Sequence, residues 1–110
     1  MAWIYLMLAG IAEIGWPIGL KIMQQTEHYF RSFSFYKGLF IAAVCIAASG
    51  ALLLLAQRDI PMGTAYAVWV GIGAAGTFLV GVFFYGDSAA LIRYFGVGLI
   101  VLGAICLKLG

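Results

Sequence analysis

The chain has 110 residues, of which 65% are hydrophobic and 9% are charged, and its formal net charge is +2. An ordinary soluble domain carries roughly 25% charged residues, so the composition excludes a water-soluble fold and indicates an integral membrane protein. The six basic residues are scattered, which argues against a nucleic-acid-binding surface.

Four apolar segments follow one another along the chain, at residues 2–20, 36–56, 62–85 and 89–107. Lipid cannot hydrogen-bond open backbone groups, so each segment is predicted to be a transmembrane helix. The expected fold is an all-α membrane protein with a single domain over residues 1–110. The first segment is not expected to be a signal peptide, because it lacks a basic start and a clear cleavage site.

The first segment carries a carboxylate, Glu13, near its middle, in the stretch "AGIAEIGWPIGLK". A charge at the bilayer centre costs at least about 2.5–3.5 kcal/mol on insertion scales. Such residues usually face a bundle interior or a water-filled cavity, and they mark ion or substrate paths. The alternative is a carboxyl that stays protonated and only joins two helices.

The helical period places further candidates on the face of Glu13. Gly10 is expected to leave space beside the carboxylate, and Trp16 offers an aromatic wall that attracts cations. Pro17 removes one backbone hydrogen bond and is expected to kink the helix. Simple packing is the alternative for Trp16 and Pro17. The complete stripe is Leu6, Ala9, Gly10, Glu13, Trp16, Pro17 and Leu20.

The second segment contains one hydroxyl between residues 38 and 56, that of Ser49. It is a candidate site residue, unless it bonds back to its own helix. Cys45, and Cys106 in the fourth segment, are expected to pack as small residues. Their spacing fits neither a disulfide framework nor a metal site, and no metal or cofactor is expected.

The third segment supplies a second stripe of residues on one helix face, formed by Tyr66, Trp69, Val70 and Gly73. A buried Tyr hydroxyl needs a hydrogen-bond partner. An interfacial aromatic belt is the alternative, but Tyr66 and Trp69 lie one and two turns inside the segment, so a belt explains Trp69 less well.

Glycines recur along the third and fourth segments. The string "GIGAAG" is a literal G-x-G-x-x-G, but a dinucleotide site needs a preceding strand, which a membrane span does not provide. Close helix packing and local bending are the favoured interpretation. The residues concerned are Gly71, Gly73, Gly76, Gly96 and Gly103, with Gly98 of the same kind.

The connections carry the remaining charges. His28 has no Cys or Ser partner at triad-like positions, so an enzyme is not expected. The basic side chains divide weakly between the two membrane sides, which would permit insertion in both orientations. Lys21, Arg31, Lys37 and Arg93 fall on one side, and Arg58, Lys108 and the N-terminal amine on the other. Each subunit has one carboxylate deep in the membrane, so a path across the membrane is expected to need at least two copies of the chain.

With these residues in place, the chain resembles the small multidrug resistance family over its whole length. The resemblance is carried by "GIAEIGWPIGLK", "PMGTAYAVWVGIGAAG" and "GLIVLGAICLKLG". Within the family it is most similar to the guanidinium-exporter subtype. The matching positions are Gly10, Glu13, Trp16, Ser49, Tyr66, Trp69 and Lys108. The departures are Val70 in place of Thr or Ser, Pro17 in place of Ala, Asp87 in place of Glu, and a longer first connection.

The resemblance implies an antiparallel homodimer in the inner (plasma) membrane that exports guanidinium, or a related small cation, in exchange for protons. It implies that Glu13 binds cation or proton, and that Ser49 and Trp16 hold the carboxylate. It also implies that Tyr66 bonds across the dimer or gates access, and that Trp69 lines the cavity. Three alternatives remain: an exporter of quaternary ammonium or other lipophilic cations, one member of a heteromeric pair, and a membrane scaffold without transport.

Overall fold

Four α-helices make up the computed structural model, which describes residues 1–25 and 33–110. They are α1 (Ala2–Gln24), α2 (Phe33–Ala56), α3 (Met62–Phe84) and α4 (Leu91–Leu109), and the described ranges contain no strand. Each is long and apolar enough to cross a membrane, which confirms the predicted fold class. The prediction for His28 lies outside the described residues.

The helix ends differ from the apolar segments by a few residues. α1 continues through Lys21 to Gln24, because hydropathy marks the lipid boundary and a helix can extend beyond it. α4 begins at Leu91 rather than at residue 89, since Ala90 has a non-helical ψ of 144° and serves as its N-cap. α3 ends where Gly86 adopts a positive φ of 69°, which favours glycine.

Small residues bring α1 and α2 into close contact. A Cβ added to Gly19 would lie 2.6 Å from the Gly38 carbonyl oxygen and 2.7 Å from the Ala42 nitrogen, and one added to Gly15 would collide with Cys45. Backbones approach this closely in membrane helices only where side chains are small. We call these five residues the α1–α2 seam.

α1 lies between α2 and α3, and α4 packs mainly against α3. A buried apolar cluster closes one end of the bundle, where the start of α1 meets the end of α2 and the start of α3. Its members are Ala2, Leu6, Ala56, Ile60, Ala65 and Val68. The cluster fixes these three helices relative to one another next to the candidate site.

The subunit is flat, with extents of 49 × 34 × 16 Å. An α-helix with side chains is about 10–12 Å wide, so the four helices form little more than one layer. No residue of α4 is buried. Gly96, Gly98 and Gly103 have open space around them within the subunit, so their predicted packing role is not met by contacts inside one copy.

Candidate functional site

Ser49 is the hub of a hydrogen-bonded cluster between α1, α2 and α3. Its side chain is fully buried. The Trp69 indole N–H donates to Ser49 Oγ over 2.7 Å, and Ser49 Oγ lies 2.8 Å from the Ala9 carbonyl oxygen and 3.3 Å from Glu13 Oε2. Ser49 therefore bonds to a neighbouring helix rather than to its own, contrary to the alternative considered from sequence.

The hydroxyl of Ser49 has a single hydrogen to donate. Since Trp69 already donates to its oxygen, that hydrogen goes either to the Ala9 carbonyl or to the Glu13 carboxylate, and the shorter distance favours Ala9. A protonated Glu13 can instead donate its own hydrogen to Ser49 Oγ. The contact between Ser49 and Glu13 thus depends on whether the carboxyl carries a proton.

The α1–α2 seam explains why Ser49 reaches α1. Ala42, Cys45 and Ser49 follow one another at helical spacing along one face of α2. Contacts at Ala42 and Cys45 hold that face against α1, so Ser49 is brought to the turn of α1 that contains Ala9 and Glu13. Sequence reasoning missed this seam, although Gly15 and Gly19 form a G-x-x-x-G pattern in "GWPIG".

Glu13 is half-buried and packs against Gly73 of α3. A Cβ added at Gly73 would lie 2.5 Å from Glu13 Cγ, so only glycine leaves room for this side chain. An open-sided cavity of about 250 Å³ adjoins the carboxylate. Its lining residues are Glu13, Pro17, Val70, Gly73, Ala74 and Thr77. Apart from Glu13, only Thr77 among them has a polar side chain.

Three predicted site residues take no part in the hydrogen bonds around Ser49 that the structure describes. The side chain of Ile72 occupies the space next to Gly10, since it would lie 2.6 Å from a Cβ added there. The open space that was expected beside Glu13 is therefore absent at Gly10, because α1 and α3 approach closely. The Trp16 indole nitrogen is buried without a partner among the described residues. Tyr66 is 56% exposed and packs on Trp69 with a ring-centroid distance of 5.5 Å.

A second cavity, of about 120 Å³, extends from the first toward one end of the helices. Pro17 and Thr77 line both cavities. At its outer end lie Lys21, whose ammonium is 5.6 Å from the centre of the Tyr85 ring, and Asp87. Thr77 was not predicted as a site residue, since a lone threonine in an apolar helix carries no signal of its own.

Together these features define a class: a small multi-pass membrane protein with a carboxylate site inside the bilayer. The sequence matches the family model described as Small Multidrug Resistance protein over residues 1–100. The chain belongs to the small multidrug resistance family, and its four spans place it as a multi-pass protein of the inner membrane.

Individual relatives match over nearly their whole length. A guanidinium exporter of Yersinia pseudotuberculosis (serotype I, strain IP32953) is 48% identical over 109 residues, which cover 99% of this chain and 98% of the relative. Guanidinium exporters of Salmonella typhimurium (strain LT2) and Citrobacter freundii are 42% and 43% identical over 109 residues, covering 99% of this chain and 97% of each relative.

Proposed function

We propose that this chain exports guanidinium, or closely related small guanidinyl cations, across the inner membrane in exchange for protons. The observation that carries the proposal is the Glu13 carboxylate beside a small cavity, next to the Ser49–Trp69 pair. The guanidinium exporters with 42% to 48% identity support the same substrate. In this proposal the protein is a transporter, not an enzyme.

The chemistry of the site suits a flat cation. Guanidinium is planar, and its N–H groups match the two oxygens of a carboxylate, as the arginine head group does. The cavity next to Glu13 measures about 250 Å³ and has almost entirely apolar walls. The carboxylate therefore supplies the charge that compensates the cation.

Proton coupling follows from competition for the same oxygens. An ionised Glu13 binds the cation, and a protonated Glu13 has no charge with which to hold it. Ser49 Oγ lies 3.3 Å from Glu13 Oε2, so their contact changes with the proton. An ionised Glu13 competes with the Ala9 carbonyl for the Ser49 hydrogen, whereas a protonated Glu13 donates its own hydrogen to Ser49 Oγ. A proton gradient can therefore drive the export of the cation.

Alternating access in this proposal uses two copies of the chain in opposite orientations. The flat shape of one subunit and the unburied α4 support a partner on the open side. Two Glu13 side chains would then face a shared site. Trp16, whose indole N–H lacks a partner in the described residues, and the half-exposed Tyr66 are the groups we assign to contacts with substrate or with the second copy.

The test is transport by the purified protein in liposomes. We expect guanidinium to drive proton movement and tetrapropylammonium to drive much less. A reversed preference would assign the chain to the export of lipophilic cations. Activity only after addition of a second, different family member would indicate a heteromeric pair, and no response to any cation would indicate a scaffold.

A further inference from the structure

Pro17 changes the hydrogen bonding of the residue that bears the carboxylate. In an α-helix each carbonyl accepts from the N–H four residues later. The residue four positions after Glu13 is Pro17, which has no N–H. α1 nevertheless continues without interruption from Ala2 to Gln24. The main-chain carbonyl of Glu13 therefore lacks its helical donor.

The turn of α1 that carries this carbonyl borders the cavity. Glu13 and Pro17 are both lining residues, so the face of α1 between them borders the open space. A proline ring also pushes against the carbonyl of the fourth preceding residue, which turns that carbonyl away from the helix axis. In a membrane, a carbonyl without its helical donor is costly unless another donor reaches it.

The cavity offers few donors of its own. Pro17, Val70, Gly73 and Ala74 contribute no polar side-chain atom, which leaves the Thr77 hydroxyl. A guanidinium ion, by contrast, carries N–H donors on every edge of its plane. One edge can pair with the Glu13 carboxylate while a second donates to the Glu13 carbonyl, because both oxygens belong to one residue at one cavity.

We propose that the Glu13 main-chain carbonyl, released by Pro17, is a second binding group for the transported cation, and that it selects for cations that carry N–H donors. This inference depends on the proposed function, because it assumes that a guanidinyl cation enters the site. It makes Pro17 a specificity-determining residue that acts through its missing N–H.

Two substitutions test the idea through affinity. Pro17→Ala and Pro17→Gly both restore the N–H, but they differ in helix flexibility. We expect both to weaken guanidinium binding roughly tenfold, the size of one hydrogen bond to a charged group. If helix bending alone mattered, the two variants would differ from each other. Wild-type affinity in both would overturn the inference.

A spectroscopic measurement tests the contact directly. Glu13–Ile14 is the only Glu–Ile pair in the sequence, so ¹³C-carbonyl glutamate combined with ¹⁵N isoleucine reports one carbonyl by solid-state NMR in lipid. Saturating guanidinium should shift this resonance in the wild type and much less in Pro17→Ala, where the carbonyl is already bonded. Equal shifts in the two proteins, or no shift in the wild type, would contradict the proposal.

The outcomes separate the two proposals. If wild-type protein transports guanidinium but its Glu13 carbonyl does not respond, the carbonyl contact is wrong and the proposed function stands. If the wild type neither binds nor transports guanidinium, both proposals are wrong.

Discussion

At the scale of single residues, Ser49 links the carboxylate to the rest of the site. It is completely buried, accepts from Trp69 and shares one hydrogen between Ala9 and Glu13. A buried donor that loses its partner costs about 1–3 kcal/mol. Removing the Ser49 oxygen would leave the Trp69 N–H in that condition, so the two residues should behave as one unit.

Ser49→Ala is expected to weaken guanidinium binding by roughly tenfold, because Trp69 and Glu13 lose their common partner. Trp69→Phe should have a comparable effect, and the double variant should be scarcely worse than either single variant. Isothermal titration with guanidinium provides the three affinities for a double-mutant cycle. Effects that simply add would show that Ser49 and Trp69 act independently.

At the scale of helices, glycines determine how close the elements approach. Gly19 faces the backbone of α2, whereas Gly73 faces the side chain of Glu13 and Gly76 faces Ile14. Glycine therefore serves two purposes in one bundle. Gly19 lets α1 pack against α2, whereas Gly73 and Gly76 make room for side chains of α1 at the site.

Gly19→Ala should destabilise the protein by about 1–3 kcal/mol, the usual cost of overpacking, because its Cβ would press on backbone atoms at 2.6 and 2.7 Å. Gly50→Ala is the matched control, since nothing lies within 4 Å of that position in the subunit. Thermal unfolding in detergent compares them. An equal unfolding temperature for the two variants would refute the close contact.

Gly73→Ala should impair transport more than stability, because its Cβ would displace the Glu13 side chain. We expect at least a tenfold loss in guanidinium transport in liposomes, since a misplacement of about 1 Å can cost on the order of 100-fold. Gly50→Ala again serves as the control for an added methyl group. Normal transport by Gly73→Ala would mean that Glu13 can move freely without loss of function.

The sequence predicted the helices better than it predicted their contacts. Hydropathy identified all four spans, because lipid imposes apolar runs of fixed length. Helical periodicity predicted which residues of α1 share a face with Glu13. It could not predict which neighbouring helix packs against each of those residues. Gly10 was expected to leave space beside Glu13, but the side chain of Ile72 occupies the space next to Gly10. Thr77 was missed because its role depends on how α3 packs against α1.

At the scale of the whole molecule, the subunit is a thin layer with its carboxylate near an open side. Large apolar side chains along α4 are exposed, including Phe95, Leu99 and Leu102. Lipid or a second copy can cover them. A Cβ added at Gly96 or Gly103 would have no neighbour within 4 Å in the subunit, so these glycines would allow close approach of another helix.

If a dimer shares one site, wild-type and Glu13→Gln subunits mixed before assembly should reveal it. Transport is expected to fall as the square of the wild-type fraction if both carboxylates are required, because random mixing leaves that share of intact dimers. A linear decrease would indicate that each subunit works with its own carboxylate. Mixing wild type with Asp59→Asn, a change in an exposed turn residue, controls for the procedure.

The most direct measurement follows proton movement into or out of liposomes when guanidinium is added on one side. With wild-type protein we expect protons to move opposite to the cation, and the apparent guanidinium affinity to weaken as pH falls, because protons compete for Glu13. Glu13→Gln should remain folded and show neither effect. Proton-coupled guanidinium transport by Glu13→Gln at the wild-type rate would contradict the assignment of Glu13 as the group that exchanges cation for proton.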